Sequence, residues 1–220
     1  MNRYSEGRPL WHRRKFVAAG AAAGLMLLAP SAFAVAAQSA DQFIQEIGDQ
    51  TVGILRDGGM SQQQKLLALK KLLDQSTDLN LISRLVMGQH WRRATPEQQH
   101  EFIDLFDKLV MRTMAERMSR YRGQTFQIVG STPIDERDTK VSTKLLLPGE
   151  EPFQVDWRVR KGERGYLLID IVAEGISLVV TQRSEVNEVV GKQGIDGLLT
   201  EMQGRVAGKG PGAWPTSPPA

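Results

Sequence analysis

The 220-residue sequence contains no cysteine and only three histidines. Without cysteine the chain forms no disulfide bond, has no lipidated cysteine anchor and performs no thiol chemistry. His90 and His100 are the two histidines beyond residue 34, and neither has a second ligand residue at the spacing of a metal site. A glycine-rich phosphate loop and a nucleophile elbow are also missing. The sequence therefore gives no positive evidence for a catalytic residue, a metal site or a cofactor.

A basic stripe of the kind that binds nucleic acid is missing as well. The formal charge is +3, from 28 Lys and Arg against 25 Asp and Glu. Residues 1–34 hold a net charge of +4, which leaves −1 for the rest of the chain. Beyond Arg92 and Arg93 the basic residues are scattered, so we expect no nucleic-acid partner.

Long apolar runs are absent, and the short run at residues 17–29 has the features of an export signal. Five basic residues precede it, and Ala32, Phe33 and Ala34 follow it. At roughly 13 residues the run is too short to span a membrane, and this pattern is typical of a cleaved signal peptide. We expect residues 1–34 to be removed after Ala34, leaving a soluble periplasmic protein. Arg13 and Arg14 suit a twin-arginine signal, but paired arginines also occur in general export signals.

Helical periodicity dominates the first half of the mature chain, with predicted helices that begin near Asp41, Ser61 and Asp78. The clearest start is at Thr95, whose hydroxyl can accept a free backbone N–H. Pro96 loses no hydrogen bond at the first helical position, and Gln98 completes a capping box. We expect a helix over residues 96–120, roughly 37 Å long, with Gly123 closing it.

One face of this long helix is apolar, and it forms either ordinary core or one wall of a cavity. The stripe consists of Phe102, Phe106, Leu109, Val110, Met114, Met118 and Tyr121.

After Gly123 the pattern alternates between apolar and polar residues, which predicts strands over residues 124–131, 140–147, 153–160 and 165–173. The third is the clearest, because Phe153, Val155, Trp157 and Val159 all point to one face. Short connections predict a four-stranded antiparallel sheet with one face available to the helices. We expect a helix from about Ser177 to residue 190 and a last helix over residues 195–206.

The predicted fold class is therefore α+β, with helices packed on a four-stranded antiparallel sheet. Residues 35–206 form the folded domain, and residues 207–220 are a Gly/Pro-rich tail that we expect to be disordered. Asp170 and Glu174 leave open a small-molecule enzyme in which they act as acid and base, although bonding to the backbone at the strand end is the simpler role. A periplasmic adaptor without a ligand, whose apolar faces are all core, is a further alternative.

Five short motifs occur in order along the mature chain. They are GQHW at 88–91, ATP at 94–96, YRGQT at 121–125, Asp170 with AEGIS at 173–177, and GIDGL at 194–198. Together they closely resemble the MlaC family of periplasmic phospholipid-binding proteins, also called the toluene-tolerance family. The resemblance covers roughly residues 41–206.

This resemblance implies a non-enzymatic carrier that maintains outer-membrane lipid asymmetry. Such a protein holds phospholipid acyl chains in an apolar cavity between the helices and a cone-shaped, NTF2-like sheet. It shuttles lipid between an inner-membrane ABC transporter complex and an outer-membrane lipoprotein–porin complex, and it approaches membranes transiently through these partners. Headgroups stay at the mouth, so no dedicated headgroup pocket is required. Periodicity and the family pattern together select as lipid-binding residues Phe102, Phe106, Val110, Met114, Met118, Phe153, Val155, Trp157 and Ile176.

Overall fold

The computed structural model describes residues 38–163 and 165–209, and these residues form an α+β domain. Its helices are α1 Ala40–Arg56, α2 Gln62–Ser76, α3 Leu79–Met87, α4 Pro96–Ser119 and α5 Leu178–Val206, with a short 3₁₀ helix at Gly88–Arg92. Its strands are β1 Thr125–Pro133, β2 Asp138–Leu146, β3 Phe153–Gly162, β4 Gly165–Ala173 and β5 Ile176–Ser177. The predicted signal peptide and the tail from residue 210 onward lie outside the described residues.

The helix starts follow from local capping chemistry, as predicted. The Thr95 hydroxyl accepts the Gln98 backbone N–H at 3.2 Å, and the Gln98 side chain accepts the Thr95 N–H at 3.0 Å. Equivalent capping boxes begin α1 and α2, and Asp78 caps α3. The helix α4 ends at Ser119, so Gly123 lies in the connection to β1 rather than at the helix end. None of the described helices is both long and apolar enough to cross a membrane.

The two helices predicted after Ser177 are one element, α5, that is sharply kinked. Gly194 has φ 71° and ψ −176°, a backbone conformation that glycine adopts readily and other residues avoid. The predicted cap is confirmed, because the Ser177 hydroxyl accepts the Val180 N–H at 3.0 Å. Arg205 and Glu185 join the two halves of α5 through an ion pair of 3.8 Å.

The sheet has the order β1-β2-β3-β4-β5 with every neighbour antiparallel. The four predicted strands are confirmed, and the count is corrected by the fifth strand, β5. Ile176 and Ser177 fold back on Ala173 and Val172 through a turn at Glu174 and Gly175, both of which have positive φ. Residues 176–181 have high strand propensity, but a two-residue strand is too short to produce an alternating pattern, so we predicted only the helix that follows it.

Two separate clusters of buried side chains hold the domain together. The helical core lies between α3, α4 and α5 and contains Phe102, Leu109, Val186 and Met202 among others. The sheet core lies between α1 and strands β2 to β4 and includes Phe43, Ile44, Val141, Val159 and Leu168. The long helix α4 therefore packs chiefly against α5 and α3, while α1 covers the sheet.

Asp138 at the start of β2 is a buried carboxylate held by two arginines of β3. Only 1% of its surface is exposed. Its oxygens accept from Arg160 Nε at 2.6 Å and from Arg158 Nη2 at 2.7 Å. Hydrogen bonds from Arg160, and then from Arg158, lower the pKa of the Asp138 carboxyl below its ordinary value. The interaction fixes the register of β2 against β3 at this end of the sheet.

Replacing Asp138 by Asn should reduce the free energy of unfolding by about 2 kcal/mol at neutral pH, because the arginines lose their charged acceptor. Larger losses are not expected, since water reaches Arg158 and Arg160, which are 40% and 25% exposed. The lowered pKa means that the wild-type advantage holds above the unfolded-state pKa of about 3.9 and disappears as pH falls through the folded-state pKa. Urea unfolding at several pH values measures this.

Asp156→Asn is the matched control. Asp156 lies on the same face of β3 as Arg158 and Arg160, but its nearest amine, on Lys140, is 3.9 Å away. We expect that change to cost under about 0.5 kcal/mol. Equal losses for the two variants at neutral pH would contradict the role assigned to Asp138.

The glycines of α1 provide a second prediction. A Cβ at Gly48 would lie 2.0 Å from the ring of Phe126, whereas a Cβ at Gly53 would meet nothing within 4 Å. Alanine raises helix propensity equally at both, by about 1 kcal/mol, but at Gly48 it displaces the Phe126 ring. Thermal unfolding should therefore find Gly53→Ala stabilised and Gly48→Ala less stable than Gly53→Ala by about 1–2 kcal/mol. Equal stabilisation would show that Phe126 does not pack on α1.

Candidate functional site

The nine residues predicted to bind lipid lie in different parts of the domain. Phe102, Phe106 and Val110 belong to the helical core, where the rings of Phe102 and Phe106 stack with centroids 5.9 Å apart. The first half of the apolar stripe on α4 is therefore packed against other helices. A contact between these three residues and a ligand stays a prediction.

On the sheet, Val155 is buried and Trp157 packs against the sheet core. The Trp157 indole N–H donates to the Thr143 hydroxyl at 2.9 Å, and that hydroxyl donates to the Val155 carbonyl at 2.9 Å. These bonds satisfy a buried hydroxyl and an indole N–H, and they fix the orientation of the Trp157 ring. Ile176 lies on β5 with 42% of its surface exposed, four residues before Val180, which is also exposed.

The remaining three predicted residues, Met114, Met118 and Phe153, are half-buried and belong to neither core. Met114 and Met118 lie in the second half of α4, and Phe153 is the first residue of β3; we group them with four further residues under the name corner. The corner is defined by the half-buried apolar residues Val52, Leu55, Met114, Met118, Phe126, Leu145 and Phe153.

Three contacts join the elements that contain the corner residues. Phe126, Leu145 and Phe153 are direct neighbours across β1, β2 and β3 and so share one face of the sheet. Phe126 packs against α1 at Gly48. The Tyr121 hydroxyl, just beyond α4, accepts from Arg56 Nε at the end of α1 at 3.2 Å and donates to the Gln124 carbonyl at 3.2 Å.

The corner offers apolar contact without a fixed geometry. The methionine side chains are unbranched and flexible, so they can follow apolar ligands of varied shape. Sequence reasoning found Met114, Met118 and Phe153 but missed Phe126 and Leu145. Their alternating positions in β1 and β2 were the available signal. The described residues do not show the predicted apolar cavity between the helices and the sheet. A small depression elsewhere, between the two halves of α5, is lined by Val186, Val189 and Met202 among others.

Four exposed arginines lie close in sequence to corner residues, and we call them the arginine rim. Arg56 follows Leu55, Arg117 precedes Met118, and Arg120 and Arg122 come two and four residues after Met118. The pKa of the Arg117 guanidinium lies below its ordinary value, because surrounding protein desolvates it and, secondarily, because Arg120 carries a like charge nearby. Arg117 as a whole residue is nevertheless exposed.

The acidic residues of the enzyme alternative are both bonded to the backbone. Asp170 accepts from the Ser177 hydroxyl at 2.5 Å and from the Val179 N–H at 3.1 Å, which ties β4 to the start of α5. Glu174 accepts the Gln154 N–H at 3.0 Å. The simpler structural role expected for these carboxylates is confirmed.

The buried His90 is also in a structural contact. Its Nε2 lies 2.8 Å from the Asn187 side-chain oxygen, which joins the 3₁₀ helix to α5. Within residues 38–163 and 165–209, no three His, Cys, Asp or Glu residues are arranged to hold a metal ion.

Comparison with known proteins agrees with this architecture. A phospholipid-binding protein from Ralstonia solanacearum, solved in complex with a phospholipid, superimposes with a TM-score of 0.70 at 27% identity. The match covers 77% of this chain and 98% of that chain. The intermembrane phospholipid transport system binding protein MlaC of Haemophilus influenzae is 25% identical over 122 residues, which are 54% of this chain and 57% of that protein.

The family model of the MlaC protein matches residues 45–204, which run from within α1 to the last turn of α5. Because that match takes in most of the chain and nearly all of the described domain, this protein belongs to the MlaC family.

Proposed function

We propose that this protein is a periplasmic phospholipid carrier and not an enzyme. The observation that carries the proposal is the likeness to the Ralstonia protein, which was solved with a phospholipid and matches over 98% of its length. The half-buried apolar corner supports it, because its seven large apolar side chains belong to neither core. We propose that acyl chains bind at the corner, beside the last turns of α1 and α4 and the sheet row formed by Phe126, Leu145 and Phe153.

The energetics of the cargo suit a carrier. Two acyl chains have about 30 methylenes, and at roughly 0.8 kcal/mol each their burial is worth on the order of 24 kcal/mol relative to water. Release into water is therefore very slow, and exchange needs a partner that offers a continuous apolar path. Between a bilayer and the protein this large contribution nearly cancels, so that docking contacts or ATP use by a transporter can set the direction.

We infer that the partners are an inner-membrane ABC transporter complex and an outer-membrane lipoprotein–porin complex. The name of the Haemophilus relative supports a transport system between membranes. The aligned region covers 57% of that relative, so the partners are proposed for this chain and not taken over from it. The export signal expected at residues 1–34 would deliver the chain to the compartment between the two membranes.

Native mass spectrometry of the purified mature protein tests the proposal. We expect adducts of diacyl phospholipid at a defined stoichiometry after expression in a Gram-negative host. Delipidated protein should load again from phospholipid vesicles. A protein that is always empty, before and after incubation with vesicles, would contradict the carrier function and leave the adaptor alternative.

Met114→Arg tests whether the corner holds the acyl chains. Met114 is half-buried and outside both cores, so an arginine can reach water and should change the free energy of unfolding by less than about 1 kcal/mol. In a lipid-filled corner the charge would be unpaired, so lipid-loaded protein should fall at least about tenfold, equivalent to 1.4 kcal/mol. Native mass spectrometry and urea unfolding measure the two effects.

Leu67→Arg is the control, because Leu67 on α2 is 62% exposed. It should change neither lipid content nor stability. If Met114→Arg unfolds the protein, the second half of α4 is plain core. If it folds with unchanged lipid content, Met114 does not contact the chains.

A further inference from the structure

The arginine rim has no ionic partner in the part of the chain that the structure describes. No ion pair there involves Arg56, Arg117, Arg120 or Arg122. The acidic residues that adjoin the rim in sequence are already engaged.

Glu116 pairs with Arg112, and the Asp57 carboxylate accepts the Gly59 N–H at 2.7 Å. Four arginines that form no ion pair among the described residues thus lie where two helices end.

Helix dipoles explain only part of this arrangement. Cations are favourable near the C-termini of α1 and α4, but the terminal carbonyls are satisfied by other groups. Lys65 Nζ donates to the Leu55 carbonyl at 2.8 Å, and the Arg120 N–H caps α4. The guanidinium groups of Arg117 and Arg120 make no hydrogen bond among the described residues. Like charges three residues apart on a helix repel one another, which is a cost unless an anion joins them.

The rim lies directly beside the apolar corner. Arg56 follows Leu55 in α1, and its Nε bonds the Tyr121 hydroxyl. Arg117 lies one helical turn beyond Met114 and next to Met118. Apolar surface therefore passes into unpaired positive charge within one helical turn. This is the order of groups in a phospholipid, whose acyl chains end at a phosphodiester anion.

We propose that Arg117 and Arg120, with Arg56 beside them, bind the phosphodiester of a phospholipid whose chains occupy the corner. This rests on the carrier function proposed above and adds to it a recognition site for the headgroup. Guanidinium groups present paired N–H donors that match phosphate oxygens. The contact would be to the phosphate that all phospholipids share, so it selects phospholipids over uncharged lipids without selecting among headgroups.

The test compares two lipids that differ in this anion. Phosphatidylglycerol and diacylglycerol with identical acyl chains are offered in competition to the delipidated mature protein, and loading is measured by native mass spectrometry. The variants are Arg117→Gln with Arg120→Gln, and the control Arg92→Gln with Arg93→Gln. The control removes the same charge from exposed arginines of another region that likewise form no ion pair among the described residues.

We expect the wild type and the control to load phosphatidylglycerol in preference to diacylglycerol. In the rim variant this preference ratio should be about tenfold smaller, equivalent to about 1.4 kcal/mol. Diacylglycerol loading should not change, which separates this effect from damage to the fold. An unchanged preference in the rim variant would overturn the headgroup site and leave the carrier function intact. A wild type that loads neither lipid would overturn both.

Inorganic phosphate distinguishes a headgroup from a free anion. Titration of the delipidated protein, followed by calorimetry, should show no binding at millimolar phosphate, because the site also needs the apolar chains. If phosphate alone binds the wild type but not the rim variant, and lipid preference is absent, the rim binds a free anion and the proposal is wrong.

Discussion

The Tyr121 hydroxyl holds together the junction on which the arrangement of the site depends. It accepts a hydrogen bond from Arg56 at the end of α1 and donates one to the Gln124 carbonyl just before β1. The end of α4 is thereby held beside the end of α1 and the start of β1. Phe126 packs on Gly48 of α1, so the end of α1, the connection after α4 and the start of β1 meet at this junction.

The domain separates the residues that stabilise it from those proposed to bind its cargo. The helical core and the sheet core contain most of the buried apolar side chains, and each is closed by its own set of elements. The corner residues are only half-buried, so a ligand can displace them without opening either core. A carrier needs this separation, because dense cores resist insertion of additional groups. The buried ion pairs of Asp138 lie elsewhere on the sheet, at the hairpin end of β2.

The corner and the arginine rim together follow the polarity of a phospholipid. Apolar and flexible side chains come first, and guanidinium groups that form no ion pair among the described residues follow within a helical turn. Electrostatic attraction at the rim would add little to the large apolar contribution, but it would orient the lipid with its headgroup outward. If the headgroup is held at the exposed edge, a docking partner would meet the polar end of the lipid first. The acyl chains would then leave the protein last.

Local chemistry explains what the sequence by itself determined. The capping box at Thr95 and Gln98, the alternation in β3 and the structural role of Asp170 all depend on residues close in the chain or on patterns within one element. The sequence also marked one face of α4 as apolar, but periodicity identifies an apolar face and not the surface that covers it. Only the tertiary structure decided that Phe102 and Phe106 pack in the helical core, while Met114 and Met118 are half-buried outside both cores. The same limit applies to Gly48, Phe126 and the arginine rim, because their roles arise from contacts between segments that are distant in sequence.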